Sequence, residues 1–67
     1  MNQRERIYDY IERFGSISPM EAFADLGITK LATRVSEMRE AGTPIVGEWE
    51  TAKNRLGKQV RYMRYSF

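Results

Sequence analysis

The spacing of apolar residues predicts a helix at the start of the chain. Four apolar residues stand at offsets of 0, 3, 4 and 7, which places them on one helical face: Ile7, Tyr10, Ile11 and Phe14. We expect this helix to run from Asn2 to Phe14, with Gly15 as a left-handed residue at its end. Ser16 and Ile17 leave room only for a short extended segment before the next helix signal.

A second helix is indicated by the residues at its start. Ser18 can accept a hydrogen bond at the N-cap, Pro19 suits the first helical position, and Glu21 completes a capping box three residues after the serine. This helix is predicted to run to about Asp25. Three of its residues are expected to face the core: Met20, Phe23 and Ala24.

A third helix follows a tight turn at Leu26-Gly27-Ile28, where glycine can adopt the positive φ that reverses the chain. It is predicted to begin with Thr29 as N-cap, to continue to about Ala41 and to end at Gly42. Its core residues stand at offsets of 0, 4 and 7: Leu31, Val35 and Met38. The opposite half is polar and comprises Thr29, Lys30, Thr33, Ser36, Glu37 and Glu40, with Arg34 and Arg39 on its flanks. That polar half is expected to be free to bind a partner.

Beyond the third helix the pattern changes to runs of β-forming residues. Residues 45–51 and 60–65 are rich in them, and the polar stretch 52–58 between them contains a glycine, which predicts a β-hairpin. Ile45 and Trp49 are expected to pack the hairpin against the helices, because an isolated hairpin is only marginally stable in water. The second strand leaves two options for its core face: Val60 with Tyr62, or Met63 with Tyr65.

These elements predict a mainly α fold with a C-terminal β-hairpin, of the α+β class, in one domain over residues 1–67. A chain of this length buries only about 60% of its unfolded surface, so a second core is not expected. The sequence contains neither cysteine nor histidine and no glycine-rich phosphate loop, so we expect no metal, no cofactor and no enzymatic activity. No apolar run approaches the ~18 residues of a membrane span, and a cytoplasmic location is expected.

Charge is distributed unevenly along the chain. The net charge is only +2, but residues 1–52 contain six basic and nine acidic side chains, whereas residues 53–67 contain five basic and none acidic. Lys53, Arg55 and Lys58 lie in the predicted hairpin loop, and Arg61 and Arg64 lie on the strand that follows. This asymmetry is typical of a protein with a polyanionic partner.

The order of caps, turn and core positions resembles the small winged helix-turn-helix domains that are common in phage and prophage proteins. The residues that support this resemblance are 15–22, the turn at 26–28, the spaced Leu31, Arg34, Val35 and Met38, and residues 42–45. The resemblance implies binding to double-stranded DNA, with the third helix as recognition helix and the hairpin as a two- or three-stranded antiparallel wing. It also implies a small transcriptional regulator or a recombination accessory factor.

The residue types agree with such an interface. A major groove about 12 Å wide accepts one helix when the inserted side chains are short, polar or basic. The predicted DNA-binding residues are Ser18, Thr29, Lys30, Thr33, Arg34, Ser36, Lys53, Arg55 and Lys58. The outward face of the third helix lacks arginine, asparagine and glutamine, which form the bidentate contacts with guanine and adenine, so base discrimination is expected to be limited.

Other interpretations of the same features are open. The polar face of the third helix could be a solvated surface, and a winged helix could serve as a protein-protein interaction adaptor or inhibitor, since a fold does not determine a function. Four C-terminal aromatic residues are expected in the core rather than as platforms for unpaired bases: Trp49, Tyr62, Tyr65 and Phe67. A homodimer is compatible with either function, but the sequence does not locate its interface.

Overall fold

Three helices precede a two-stranded antiparallel sheet in the computed structural model, which describes all of residues 1–67. The helices are α1 (Gln3–Phe14), α2 (Pro19–Leu26) and α3 (Leu31–Glu40), and the strands are β1 (Val46–Lys53) and β2 (Gln59–Ser66). The number and order of elements confirm the predicted α+β architecture. The wing was predicted to have two or three strands, and the sheet has two.

Helix α1 has hydrogen-bonded caps at both ends. The Asn2 side chain accepts a hydrogen bond of 2.8 Å from the Glu5 backbone N–H, and the Glu5 carboxylate accepts one of 3.2 Å from the Asn2 N–H. Gly15 has φ +89° and donates its N–H to the Ile11 carbonyl at 2.7 Å. The predicted helix limits are therefore confirmed, and the capping box at Asn2 and Glu5 is an addition to the prediction.

Helix α2 begins with the predicted capping box. The Ser18 Oγ accepts a hydrogen bond of 3.2 Å from the Glu21 N–H, and Glu21 Oε1 accepts one of 2.9 Å from the Ser18 N–H. The helix extends to Leu26, one residue further than predicted, and Gly27 ends it with φ +69°. Ile28 then enters the core and donates its N–H to the Ala22 carbonyl at 3.0 Å.

The predicted core face of α2 is wrong. Met20 is 74% exposed and Phe23 is 59% exposed, and Ala24 also faces solvent. The buried residue of this helix is Ala22, whose small side chain lets the backbone of α2 pack closely against the core. Phe14, on the same predicted face of α1 as the buried Ile7, Tyr10 and Ile11, is 68% exposed and rests on the Tyr10 ring, with 4.7 Å between ring centroids.

Helix α3 begins later than predicted. Its N-cap is Lys30 rather than Thr29, and no side chain caps it, because the chain bends at Thr29 after burying Ile28. It ends at Glu40, close to the predicted Ala41, and Gly42 follows with φ +100°. The three predicted core residues are confirmed as buried: Leu31, Val35 and Met38.

The hairpin packs against the helices only near its base. Tyr65 is buried and Met63 packs against the core, which decides between the two options for β2. Ile45 is buried as predicted, but Trp49 is 61% exposed, because the outer halves of the strands extend past the helices. A single bridge between Ile17 and Tyr65, with two backbone hydrogen bonds of 2.9 Å, is the only further strand pairing, and a three-stranded wing is not formed.

Candidate nucleic-acid interface

The N-terminal half of α3 has one polar, exposed side. Leu31 and Val35 hold the helix to the core. The structure places four of the predicted DNA-binding residues in solvent on this segment: Thr29, Lys30, Thr33 and Ser36. The first turn contains no acidic residue. This side of α3 can therefore approach a polyanion without repulsion from its own first turn.

Arg34 is less available than these four residues. Its Nη1 lies 3.4 Å from Glu37 Oε1, and its side chain is 30% exposed. Its Nε is buried without a hydrogen-bond partner, which is unusual because an unpaired buried donor costs about 1–3 kcal/mol. A contact between Arg34 and a nucleic acid would replace or share its pairing with Glu37.

The hairpin loop has a defined shape that depends on Asn54. Asn54 Oδ1 accepts hydrogen bonds from the backbone N–H groups of Leu56 at 2.9 Å and Lys58 at 3.0 Å. The Asn54 N–H donates to the Lys58 carbonyl at 2.8 Å, and Gly57, with φ +81°, donates to the Asn54 carbonyl at 3.0 Å. The sequence analysis overlooked Asn54, although asparagine at the first position of a turn and glycine at the fourth, here Gly57, are a turn signal.

The three predicted cations lie in or next to this loop: Lys53, predicted in the loop, is the last residue of β1 and pairs with Gln59, whereas Arg55 and Lys58 lie within the loop. Lys53, Arg55 and Lys58 are all exposed, and each lies within a few residues of the hydrogen-bonded Asn54. None of the three forms an ion pair within the chain. No carboxylate of the protein neutralises their charges, which can therefore interact with phosphate groups.

Ser18 contributes to the structure of α2 rather than to an exposed surface. It is 3% exposed, and both its hydroxyl and its backbone N–H are used by the capping box with Glu21. Of the nine predicted DNA-binding residues, Ser18 is the one whose side chain is buried.

Arg64 joins the hairpin to α2 and does not belong with the loop cations. Its Nη1 lies 2.9 Å from Glu21 Oε1 and 3.1 Å from Ser16 Oγ, and its Nε donates to Glu50. The hydrogen bond to Glu50 raises the pKa of Arg64 above its ordinary value, although burial opposes the shift. One of the five C-terminal cations is thus neutralised inside the protein.

Arg61 and Trp49 form an exposed pair on the hairpin that the sequence analysis missed. The guanidinium carbon of Arg61 lies 4.6 Å from the centroid of the Trp49 ring. The register pairs Trp49 with Met63 and Thr51 with Arg61, so the two side chains are diagonal neighbours on one face. The prediction that Trp49 belongs to the core is wrong. Phe67, predicted there with it, is 46% exposed and lies against Tyr8, whereas Tyr65 is buried.

The predicted DNA-binding residues of α3 and the cations at the hairpin loop lie on different elements. An open cleft of about 550 Å³ separates the start of α2, at Pro19 and Met20, from the outer hairpin, at Ala52 and Lys53. The base of the hairpin contacts the other end of α3, where Arg39 Nε donates to the Ile45 carbonyl at 3.1 Å. No side-chain hydrogen bond or ion pair joins the polar side of α3 to the loop cations.

Neither a metal site nor a membrane span is present in the structure. It contains no group of three or more His, Cys, Asp or Glu side chains that could hold a metal ion. None of its three helices has the length and apolar character needed to cross a membrane.

A comparison with protein families gives one match. A family model described as a winged helix-turn-helix domain matches residues 2–67, which include all three helices and both strands. No curated protein and no solved structure matches the chain.

Proposed function

Since the chain belongs to the winged helix-turn-helix family, we propose that it binds double-stranded DNA with α3 in the major groove and the hairpin loop on the flanking backbone. Family membership supports DNA binding in general. The observation that supports this particular arrangement is the combination of a polar, exposed side of α3 with three unpaired cations in or next to a hydrogen-bonded loop.

The chemistry of α3 favours positioning over base discrimination. Thr33 and Ser36 are short enough to approach base edges and can donate or accept a hydrogen bond, while Lys30 at the helix start suits a phosphate. Bidentate readout of guanine would require Arg34 to leave Glu37. We therefore expect a modest difference in affinity between duplexes of different sequence.

The hairpin loop supplies affinity for the phosphate backbone. Lys53, Arg55 and Lys58 each add a charge that can release a counterion from DNA on binding. The hydrogen bonds of Asn54 keep the loop in one shape, which reduces the conformational entropy lost when these cations contact DNA. In the cell, the proposed role is that of a small phage-type transcriptional regulator or recombination accessory factor, which rests on the resemblance of the sequence to phage and prophage domains.

Removal of the loop cations tests the proposal. The variant Lys53→Ala/Arg55→Ala/Lys58→Ala should bind every duplex more weakly. Its plot of log affinity against log salt concentration should be shallower by up to about 2.7, at ~0.9 for each lost phosphate contact. Gel-shift or fluorescence-anisotropy titrations at several salt concentrations measure both effects.

A matched pair of single variants controls for net charge. Arg55→Ala removes one exposed loop cation, and Arg4→Ala removes one exposed cation from α1. Arg55→Ala should reduce the salt dependence by about 0.9, whereas Arg4→Ala should leave it unchanged. Equal effects of the two variants, or an unchanged triple variant, would exclude the loop from the interface.

A protein-protein interaction adaptor is the second candidate, and one observation favours it. The cleft between α2 and the hairpin is lined largely by apolar atoms, including those of Met20, Val60 and Tyr62. Such a cleft suits a peptide segment better than a phosphate backbone. If folded protein fails to shift a random duplex of about 30 base pairs at low salt, where non-specific binding is strongest, the adaptor is favoured over DNA binding.

A further inference from the structure

Apolar side chains are exposed in a groove between α1 and α2, which we call the α1–α2 groove. Its volume is about 500 Å³, and Tyr10, Phe14 and Leu26 lie along it. Phe14 is the most exposed of these three residues. Phe23, also exposed, lies one helical turn before Leu26. Large exposed apolar side chains gathered at one place on a small protein are typical of an interaction surface.

The charged residues at the edge of the groove are balanced in sign. Arg6 and Arg13 are cations, and Asp9 and Asp25 are anions. A polyanion such as DNA has no electrostatic preference for this surface, and none of the predicted DNA-binding residues lines it. On a second copy of the same surface, the cations of one copy can face the anions of the other, which makes the two surfaces complementary.

We propose that the α1–α2 groove is the interface through which two copies of this chain associate about a two-fold axis. In a two-fold interface the same patch faces itself, so each contact occurs twice. When two antiparallel α1 helices cross between Tyr10 and Arg13, Asp9 of each copy lies opposite Arg13 of the other, and the Phe14 rings are covered.

The ion pair within α1 permits this exchange of partners. Asp9 Oδ2 lies 3.0 Å from Arg13 Nε, and the two side chains are 40% and 70% exposed. Exposed pairs of this kind contribute little to the stability of a single chain. Replacing the two pairs within the copies, one in each, by two pairs between them therefore costs each folded chain little.

The expected association is weak. A typical stable interface buries about 800 Å² on each partner, and each chain has an accessible surface of 4911 Å². Along α1 the groove runs from Arg6 to Phe14, which is only about 12 Å at 1.5 Å per residue. We therefore expect a weak dimer, whose population rises as the protein concentration is raised. The polar side of α3 and the hairpin loop stay accessible in such a dimer.

Sedimentation velocity over a range of protein concentrations tests the interface. Wild type is expected to change from monomer to dimer, and Phe14→Ser should raise the dissociation constant by about tenfold or more, since aromatic side chains at the centre of an interface contribute most to affinity. Leu56→Ser removes a similarly exposed apolar side chain from the hairpin loop and is the matched control, which should dimerise like wild type. Circular dichroism checks that each variant is folded.

Charge reversal provides a second test that does not depend on Phe14. Arg13→Glu alone places a carboxylate of one copy opposite Asp9 of the other, and Asp9→Arg alone places two guanidinium groups together, so each variant should be monomeric. Mixed in equal amounts they should form a heterodimer, because both cross-contacts are then between opposite charges. A monomeric wild type at every concentration, an unchanged Phe14→Ser dimer or the absence of the heterodimer would each overturn the proposal.

Discussion

The hydroxyl of Tyr10 joins α1 to α2 by a hydrogen bond of 2.6 Å to Asp25. This bond, together with burial of the ring, raises the pKa of Tyr10 to about 12. Because the folded state holds the proton more tightly than the unfolded chain, this stabilisation is complete below the unfolded pKa and is lost as pH rises through the folded pKa. We expect the free energy of unfolding to fall as pH rises from about 10 to about 12, by less than the full shift would give, because Asp25 is exposed and solvent weakens its interaction with the hydroxyl. Urea titrations across this range measure it.

Tyr10→Phe separates this effect from the titration of other groups. The variant keeps the ring in the core, and Asp25 is exposed, so water can replace the lost hydroxyl. The difference in stability between wild type and variant should be constant near neutral pH and should shrink above about pH 10. The same pH dependence in both proteins would contradict a coupling between Tyr10 and Asp25. Protein concentrations low enough to keep the chain monomeric avoid interference from association.

At the level of single residues, the sequence predicted the side-chain contacts whose partners are close in the chain. The capping box of Ser18 and Glu21 spans three residues, and the spacing alone determines it. Arg64 is different, because its partners Glu21 and Glu50 lie 43 and 14 residues away in the chain. The sequence identified Arg64 only as one of the C-terminal cations and gave no sign of these two ion pairs. Whether a cation faces a ligand or an internal carboxylate depends on tertiary contacts.

At the level of elements, the contribution of the hairpin loop's shape to DNA affinity can be measured separately from that of its charges. Asn54→Ala would remove the side-chain acceptor for the Leu56 and Lys58 N–H groups but would keep all three loop cations. If the proposed interface is correct, DNA affinity should fall about two- to tenfold, which corresponds to roughly 0.5–1.5 kcal/mol for the lost order of the loop. The salt dependence should stay that of wild type. Anisotropy titrations at several salt concentrations measure both quantities.

Thr51→Ala is a suitable control for Asn54→Ala, since Thr51 is an exposed hairpin residue with no side-chain hydrogen bond in the structure. It should bind DNA like wild type. A loss of salt dependence in Asn54→Ala would mean that the substitution displaces the cations from phosphates rather than loosening the loop. An unchanged affinity would show that loop order contributes nothing to binding.

The elements also differ in how much of their ends and of their packing could be predicted from the sequence. The ends of α1 and α2 were predicted because capping is local. The buried face of α2 was not, because a two-turn helix has apolar residues on both sides and Ile17 and Ile28, at its two ends, orient it with Ala22 inward. Trp49 was misplaced because alternation in a strand does not show where the helices stop covering it.

At the scale of the whole molecule, the sequence predicted which residues form the candidate site but not how they are arranged. The polar side of α3 and the loop cations were both recognised from residue type and spacing. Their relative positions depend on contacts between distant elements, chiefly Arg39 with the Ile45 carbonyl and Arg64 with Glu21. Periodicity and charge counts contain no information about such contacts, and the exposed α1–α2 groove escaped prediction for the same reason.

The small core makes the whole molecule sensitive to Ile17. This residue is 0% exposed and belongs to a core of only 11 buried residues, and its backbone pairs with Tyr65 of β2. A cavity left by Ile17→Ala costs about 2–5 kcal/mol, whereas a domain of this size has a net stability of only ~3–5 kcal/mol. Ile17→Ala should therefore be largely unfolded at physiological temperature.

Ile17→Val is the matched variant, since it keeps a branched side chain and should cost only about 0.5–1.5 kcal/mol. Thermal unfolding followed by circular dichroism should show a cooperative transition for wild type and Ile17→Val and little folded signal for Ile17→Ala. Neither substitution removes the backbone N–H and carbonyl that pair with Tyr65, so the difference between the two variants measures the loss of side-chain packing. A melting temperature of Ile17→Ala within a few degrees of wild type would show that the helices and the hairpin are held together mainly by other contacts, of which Arg64 with Glu21 and Glu50 is the strongest remaining candidate.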